Sequence, residues 1–333
     1  MKAFLFPGQG AQEIGMGKDW YDRFPEAKAT FEEACEATGL DMIRLCFSGG
    51  RDELDMTELT QPAILTTCVA IWRSLLVHTG LADMLRGGAV FAGHSLGEYS
   101  ALVCSGVLDF KEAVRTVRYR GKFMQQAVPL GKGGMAALLF KPGTPNSDQL
   151  TLQLCEWVFK ETGKRVEPAN FNSDEQVVVA GEKDAILYLT TKATPKDFPV
   201  RRILPLQVSA PFHSSMMKPA AQKLLPQLKE LSVRPMKAFY YVPNVEPKIV
   251  DLGTAGEDIK DRLVKQIYGS VYWTQTMRLL LKNNDIKVEQ AFEIGPGSVL
   301  CGLSKRISVD GQTMPCTSIS TVEGIHSGGD IHL

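Results

Sequence analysis

A serine flanked by glycines two residues away on either side, Gly93-His94-Ser95-Leu96-Gly97, sits between the apolar run Gly88 to Phe91 and the largely apolar stretch Ser100 to Val107. In a Gly-x-Ser-x-Gly pattern the glycines let a strand turn sharply into a helix, which leaves the serine hydroxyl exposed on a strained elbow. A hydroxyl attacks a carbonyl poorly unless a base takes its proton, and imidazole titrates in the useful range. Of the five histidines, His326 and His332 lie in a glycine-rich tail and His78 falls near a helix surface. His94 neighbours the serine but faces away from it by alternation. It and His213 remain as possible bases, and the better candidate is His213, in Val208-Ser209-Ala210-Pro211-Phe212-His213-Ser214-Ser215, just before a helix that begins near Ser214 or Ser215. A tetrahedral intermediate also needs N–H donors for its oxyanion. The N–H of Leu96 at the helix start is one, and that of Gln9, in the turn Pro7-Gly8-Gln9-Gly10-Ala11-Gln12, is the other. Arg120 shares a stripe with Val117, Phe123 and Met124 at spacings of three and four, which can turn it inward. An inward guanidinium requires an anion, and its fork fits a carboxylate. Each residue also has a plainer reading: a Gly/Ser turn, a buried structural histidine, a solvated arginine face.

Length and composition limit what must hold these groups. A chain of 333 residues exceeds a single core, so one large domain carrying a smaller one is expected. Lys+Arg and Asp+Glu are both 37, which removes the electrostatic case for a nucleic-acid or anionic-membrane partner. Seven scattered cysteines, an odd number without a C-x-x-C pair, read as reduced core residues. No run reaches transmembrane length and the apolar start Ala3 to Phe6 is too short for a secretion signal, so a cytoplasmic enzyme is expected.

The strand Lys2 to Phe6 leads into the Gln9 turn, and apolar spacing predicts helices over 27–38, 64–78 and 110–128. Thr60-Gln61-Pro62 reads as a cap and early proline opening the second of these, with Gln61 available to line a pocket. Rhythm shifts at Pro129-Leu130-Gly131. From there the order is strand 135–140, helix 148–161, strand 165–170, strand 176–180, helix 183–191 and strand 200–207, the βαββαβ order of a ferredoxin-like unit. Asn170-Phe171-Asn172-Ser173 reads as a polar turn between its middle strands, with pocket lining as the alternative. Helices follow over 259–268, 273–282 and 299–307, with a glycine turn at Gly295-Pro296-Gly297. Neither a repeat nor a metal-ligand cluster emerges. The chain thus divides into a core over 1–128 and 205–310, an insert over 129–204, and a tail over 311–333 expected to be mobile, Gly324 to Gly329 in particular.

Four separated motifs occur in fixed order: Phe6-Pro7-Gly8-Gln9-Gly10-Ala11-Gln12, Gly93-His94-Ser95-Leu96-Gly97-Glu98-Tyr99-Ser100-Ala101-Leu102, Arg120-Gly121-Lys122-Phe123-Met124-Gln125 and Phe292-Glu293-Ile294-Gly295-Pro296-Gly297. Together they resemble the malonyl-CoA:acyl carrier protein transacylase family over roughly residues 1–308. The resemblance implies an α/β-hydrolase-like core with a parallel sheet and an inserted ferredoxin-like α+β subdomain. It implies Ser95 as the acylated nucleophile, His213 as base and then acid, Gln9 and Leu96 as the oxyanion hole, and Arg120 as the clamp for a malonyl carboxylate. Gln61, Met124, Phe212 and Asn172 would line the acyl pocket. A main-chain carbonyl near Gln266 would orient the histidine in place of a triad acid. The substrate is then malonyl-CoA, the partner a holo acyl carrier protein, with no bound cofactor or metal, no nucleic acid and no membrane, and a monomer in the cytoplasm. Two other functions remain: an acyl hydrolase that clears carrier protein, which has no use for an arginine aimed at a carboxylate, and a non-catalytic docking relative, which would not need both Ser95 and His213.

Overall fold

The computed structural model describes residues 1–193, 198–208, 210–283 and 285–323. The expectation of mobility at Gly324 to Gly329, and His326 and His332 with it, lies outside the described residues. Ten strands occur among them: β1 (Lys2–Phe6), β2 (Ala89–Gly93), β3 (Gly133–Phe140), β4 (Val166–Ser173), β5 (Gln176–Glu182), β6 (Val200–Leu206), β7 (Phe239–Val242), β8 (Val250–Asp251), β9 (Gln290–Ile294) and β10 (Cys316–Ile319).

Alternation decides how the large sheet is covered. Phe4, Phe6, Phe91 and Phe292 point to one face and pack with Trp72 of the helix Thr57–His78. Ala3, Leu5, Val90, Ala92 and Ala291 point to the other, against Trp273, Met277 and Leu280 of the helix Trp273–Lys282. A sheet apolar on both faces needs helices on both, the layered arrangement of α/β proteins. Its order is β10-β9-β1-β2-β7-β8, parallel except for the last pair. Burying one of these phenyl groups contributes about 2–3 kcal/mol.

The second sheet is antiparallel, in the order β4-β5-β3-β6, with the helices Ser147–Thr162 and Lys183–Lys192 as its crossovers. This is the ferredoxin-like arrangement, with its own core of Leu138, Phe140, Leu154, Val158, Val177 and Leu189. It is joined to the large unit through backbone. Phe171 N–H donates to Val271 O at 2.9 Å and Val271 N–H to Ala169 O at 2.8 Å, and the Ser270 hydroxyl donates to Pro168 O at 2.6 Å.

Several expectations need correction. The long helix begins at Thr57, so Pro62 lies inside it; the Thr60 hydroxyl donates to Leu54 O and Met56 O, so it serves the turn before the helix. Asn170 to Ser173 belong to β4, and the turn is Asp174-Glu175. Residues 311–323 are no loose tail: β10 adds an edge to the large sheet, and Val322 N–H donates to Asp19. Cys301 and Cys316 form a disulfide across that edge, so the seven cysteines are not all reduced. The two apolar cysteines look unpaired in sequence because only the return of the chain at β10 brings them together.

Candidate active site

Parallel register sets the site at the carboxyl ends of the central strands, the usual place for ligands in such sheets. Phe6 lies beside Gly93, and His94 N–H donates to Phe6 O at 3.0 Å, so the turns leaving β1 and β2 emerge side by side. Ser95 follows with φ +51°, in the left-handed region that side chains other than glycine seldom occupy. Both flanking glycines are demanded by close approach. A Cβ on Gly93 would stand 2.0 Å from the Gly97 carbonyl, and one on Gly97 2.0 Å from Phe6 O. Asn244, arriving just after β7, secures the bend: its Oδ1 accepts from Ser95 N–H and its Nδ2 donates to Gly93 O, both at 2.6 Å.

His213, also at positive φ (+57°), comes from the loop between β6 and the helix Lys218–Glu230. Its Nε2 lies 2.7 Å from Ser95 Oγ, while Nδ1 faces Gln266 O at 2.9 Å and Gly269 O at 3.2 Å. Two carbonyls can only accept, so Nδ1 carries the proton and Nε2 is free to accept from the serine. Burial pushes His213 down to about 3, with the charges of Arg120 and His94 adding to the effect. Against this the two carbonyls pull only weakly upward, so the ring is a neutral base in the free protein.

Arg120, 1 % exposed, enters from the helix Phe110–Gln125. Its Nη1 donates to Gln61 Oε1 at 2.7 Å, and its Nη2 to Gln266 Oε1 at 2.8 Å and to Ser95 Oγ at 3.1 Å. Burial lowers its pKa, but a guanidinium stays charged in proteins. No carboxylate forms an ion pair with it among the described residues. A buried cation hydrogen-bonded only to neutral amide and hydroxyl oxygens is poised for an incoming anion.

These groups open on one cavity of about 280 Å³ between the two units. Gln9, Gln61, Leu96, Met124 and Phe212 line it on the side of the large sheet, and Met135, Ala137, Asn170, Asn172, Gln176 and Val178 on the other. Neither Gln9 nor Leu96 spends its main-chain N–H on a protein acceptor among the described residues. His94 lines the cavity too, but its ring is turned from the serine, as alternation suggested: its Nε2 meets Asn172 Oδ1 at 2.8 Å. Asn172 then donates to Gln176 Oε1 at 2.9 Å.

Three contributions escape sequence reasoning. They are the side chains of Asn244 and Gln266, and the carboxyl of Glu98, which accepts from Asn244 N–H at 3.2 Å and Gln266 Nε2 at 2.9 Å. Burial raises Glu98 to about 7, against the opposing pull of those two donors and of Arg120 and Arg262. Glu98 has a signal of sorts, an acid in an otherwise apolar stretch beside the elbow. Asn244 and Gln266 have none.

Comparison with known proteins gives a consistent picture. Residues 3–299 match the family described as acyl transferase domain. Over 306 residues the chain is 44% identical to the malonyl CoA-acyl carrier protein transacylase of Escherichia coli O157:H7, covering 92% of each chain. It is 39% identical over 321 residues to that of Bacillus subtilis strain 168, covering 96% and 95%. Among solved structures, an acyl carrier protein S-malonyltransferase from Vibrio cholerae superposes with a TM-score of 0.85 at 40% identity, covering 98% and 99%. A malonyl-transacylase in complex with a type II PKS acyl-carrier protein gives 0.84 at 40% identity, covering 98% and 97%.

Proposed function

The chain belongs to the acyl transferase family, among the malonyl-CoA:acyl carrier protein transacylases, and on that premise we propose how its cavity moves a malonyl group from malonyl-CoA to a carrier-protein thiol. Malonyl-CoA enters with its carboxylate on Arg120 and its thioester carbonyl over Ser95. The Ser95 O–H proton passes to His213 Nε2 as Oγ bonds the carbonyl carbon, and the oxyanion is held by the N–H groups of Gln9 and Leu96. The C–S bond then breaks and His213 returns the proton to the departing sulfur. The thiol of the holo carrier protein repeats the sequence in reverse: His213 takes its proton, sulfur attacks the seryl ester, and Ser95 regains its hydrogen. Transfer is ping-pong.

The observation that carries this reading is the placement of Arg120. One guanidinium nitrogen reaches the same hydroxyl oxygen as the histidine, and among the described residues no carboxylate forms an ion pair with it; Glu98 acts on it only through space. A malonyl carboxylate supplies the missing charge. It also offsets the positive field that holds His213 down, so the base strengthens when the right acyl group is seated. Leu96 and Phe212 line the cavity on the same side as Ser95 and His213; in this reading they fill the space that an α-methyl branch would need, which disfavours methylmalonyl groups by about 1–3 kcal/mol. Among the described residues no helix is long and apolar enough to cross a membrane, and we place the enzyme in the cytoplasm, working as a monomer without a bound cofactor. Incubation with radiolabelled malonyl-CoA, with and without holo carrier protein, tests the reading. Labelled enzyme and then labelled carrier are expected. Free malonate marks a hydrolase, and no label on any protein marks a scaffold.

A further inference from the structure

Among the described residues, Gln266 is the one hydrogen-bonded to all three of Ser95, His213 and Arg120, through side chain or backbone. Its main-chain oxygen accepts from His213, its Oε1 accepts from Arg120 Nη2, and its Nε2 donates to Ser95 O at 2.7 Å and to Glu98 Oε2 at 2.9 Å. An amide has two ends that differ only in hydrogen bonding, so which end faces Arg120 is decided by what faces the other end. Here both hydrogens of Nε2 are directed at pure acceptors. Turned over, Oε1 would confront those two oxygens while Nε2 confronted a guanidinium, two repulsive contacts between buried groups.

Glu98 is the side chain that makes this choice. It is 1 % exposed, forms no ion pair among the described residues, and sits in the first turn of the helix Gly97–Cys104, where Oε2 bridges Asn244 N–H and the Gln266 amide. Its Oε1 has no hydrogen-bond partner. Malonyl transfer as written makes no use of a carboxyl here, and a buried acid whose nearest cations, Arg120 and Arg262, act only through space is costly to retain for packing alone.

We propose that Glu98 is a positioning residue for acyl selection: by fixing the Gln266 amide it presents Oε1 to Arg120 and holds the guanidinium in line with Ser95, ready for a substrate carboxylate. Glu98 touches neither substrate nor the reacting atoms. Its effect on the carboxylate-bearing acyl group runs through Gln266 to Arg120; its other contact, to Asn244 N–H, bears on the elbow that carries Ser95 and is read separately by the serine-labelling control.

This rests on the clamp reading of Arg120, and the test separates the two. Acylation kcat/KM is measured with malonyl-CoA and acetyl-CoA for Glu98→Leu, Glu98→Gln, Gln266→Met, the double variant Glu98→Leu/Gln266→Met, and Arg120→Ala. Serine labelling by phenylmethanesulfonyl fluoride, which needs no arginine, reports the integrity of the Ser95–His213 pair. Glu98→Leu lowers malonyl kcat/KM by about 10- to 100-fold, the range for losing a charge-assisted contact, and leaves acetyl acylation and sulfonylation within about threefold. Glu98→Gln, which can offer Oε1 to both donors and its nitrogen to the unpartnered side, restores most of the malonyl rate. Gln266→Met gives the same collapse of the malonyl-to-acetyl ratio without altering residue 98, and the double variant is no worse than either single one. Equal losses with both acyl groups, no rescue by Gln, additive effects in the double variant, or an unchanged ratio in Gln266→Met would each overturn the proposal. If Arg120→Ala leaves the ratio unchanged, the clamp itself is wrong; if Arg120→Ala collapses it and Gln266→Met does not, only the role of Glu98 falls.

Discussion

The two walls of the cavity are built differently. On the large-sheet wall Ser95, His213, Arg120, Gln266, Asn244 and Glu98 share a continuous set of hydrogen bonds, most of them between groups from distant parts of the chain. On the opposite wall Asn172 reaches across to His94, while Met135, Ala137 and Val178 offer apolar contact only. Groups that must be placed within tenths of an ångström are locked by several partners each, whereas a wall that accompanies a flexible thioester arm needs shape more than orientation. Substitutions on the first wall should therefore act on the chemical step and those on the second on affinity.

Ser95→Ala is the strongest challenge to this contrast. Covalent labelling by malonyl-CoA should vanish while the melting temperature stays within a few degrees, because one half-exposed hydroxyl leaves no cavity; label on the mutant would remove the nucleophile from the large-sheet wall. His213→Ala should slow acylation by about 10⁴-fold at neutral pH, and a near-normal rate would pass the base to His94 or to water. The sign of its pH dependence follows from the depressed pKa. The neutral, active form persists below the ordinary histidine value, so kcat/KM for malonyl-CoA should stay flat from pH 7.5 to pH 5 and fall only as the pH approaches about 3. A limb centred near pH 6.5 would contradict the burial argument. The same group makes the fold less stable as pH falls from about 6.5 towards that value, since only the unfolded chain takes up the proton there.

Arg120→Ala comes next. It should cut malonyl acylation about 100-fold and raise acetyl acylation above wild type, because it removes both the carboxylate contact and the cost of a guanidinium left unpaired. An unchanged malonyl-to-acetyl ratio would reopen the substrate assignment. The smallest effect is expected from the facing wall. Asn172→Ala loses neutral hydrogen bonds to His94 and Gln176, worth about 1 kcal/mol, and should raise KM by about fivefold with kcat nearly unchanged. A larger fall in kcat than in affinity would mean that His94 takes part in the chemistry and that the two walls are not separate in function.

What could be read from sequence tracks how local each feature is. The elbow, the Gln9 turn and the Arg120 stripe are each written within ten residues, and the six elements between Gly133 and Leu206 begin and end within about three residues of their expected limits because apolar runs and turn residues alternate cleanly there. β7, β8 and β10 are two to four residues long, too short for any period to show. The misplaced start of the long helix came from treating Pro62 as its opening, when a proline some five residues into a helix is tolerated if its neighbours satisfy the freed carbonyl groups. Asn244 and Gln266 reach Ser95 from 149 and 171 residues away, and a single amide in an ordinary context carries no mark of such a destination.

The backbone pairing between β4 and residues 270–271 bears on recombination among relatives. Val271 is hydrogen-bonded on both sides to the small unit, and Gly269, two positions earlier, offers its carbonyl to His213. A pocket wall transplanted as residues 129–206 alone would arrive with its β4 edge facing a foreign stretch, and the mismatch would be passed along two peptide units to the His213 imidazole. The exchangeable module is thus discontinuous: the crossover points that keep both the acyl pocket and the base intact should take residues 269–274 from the same parent as the inserted sheet.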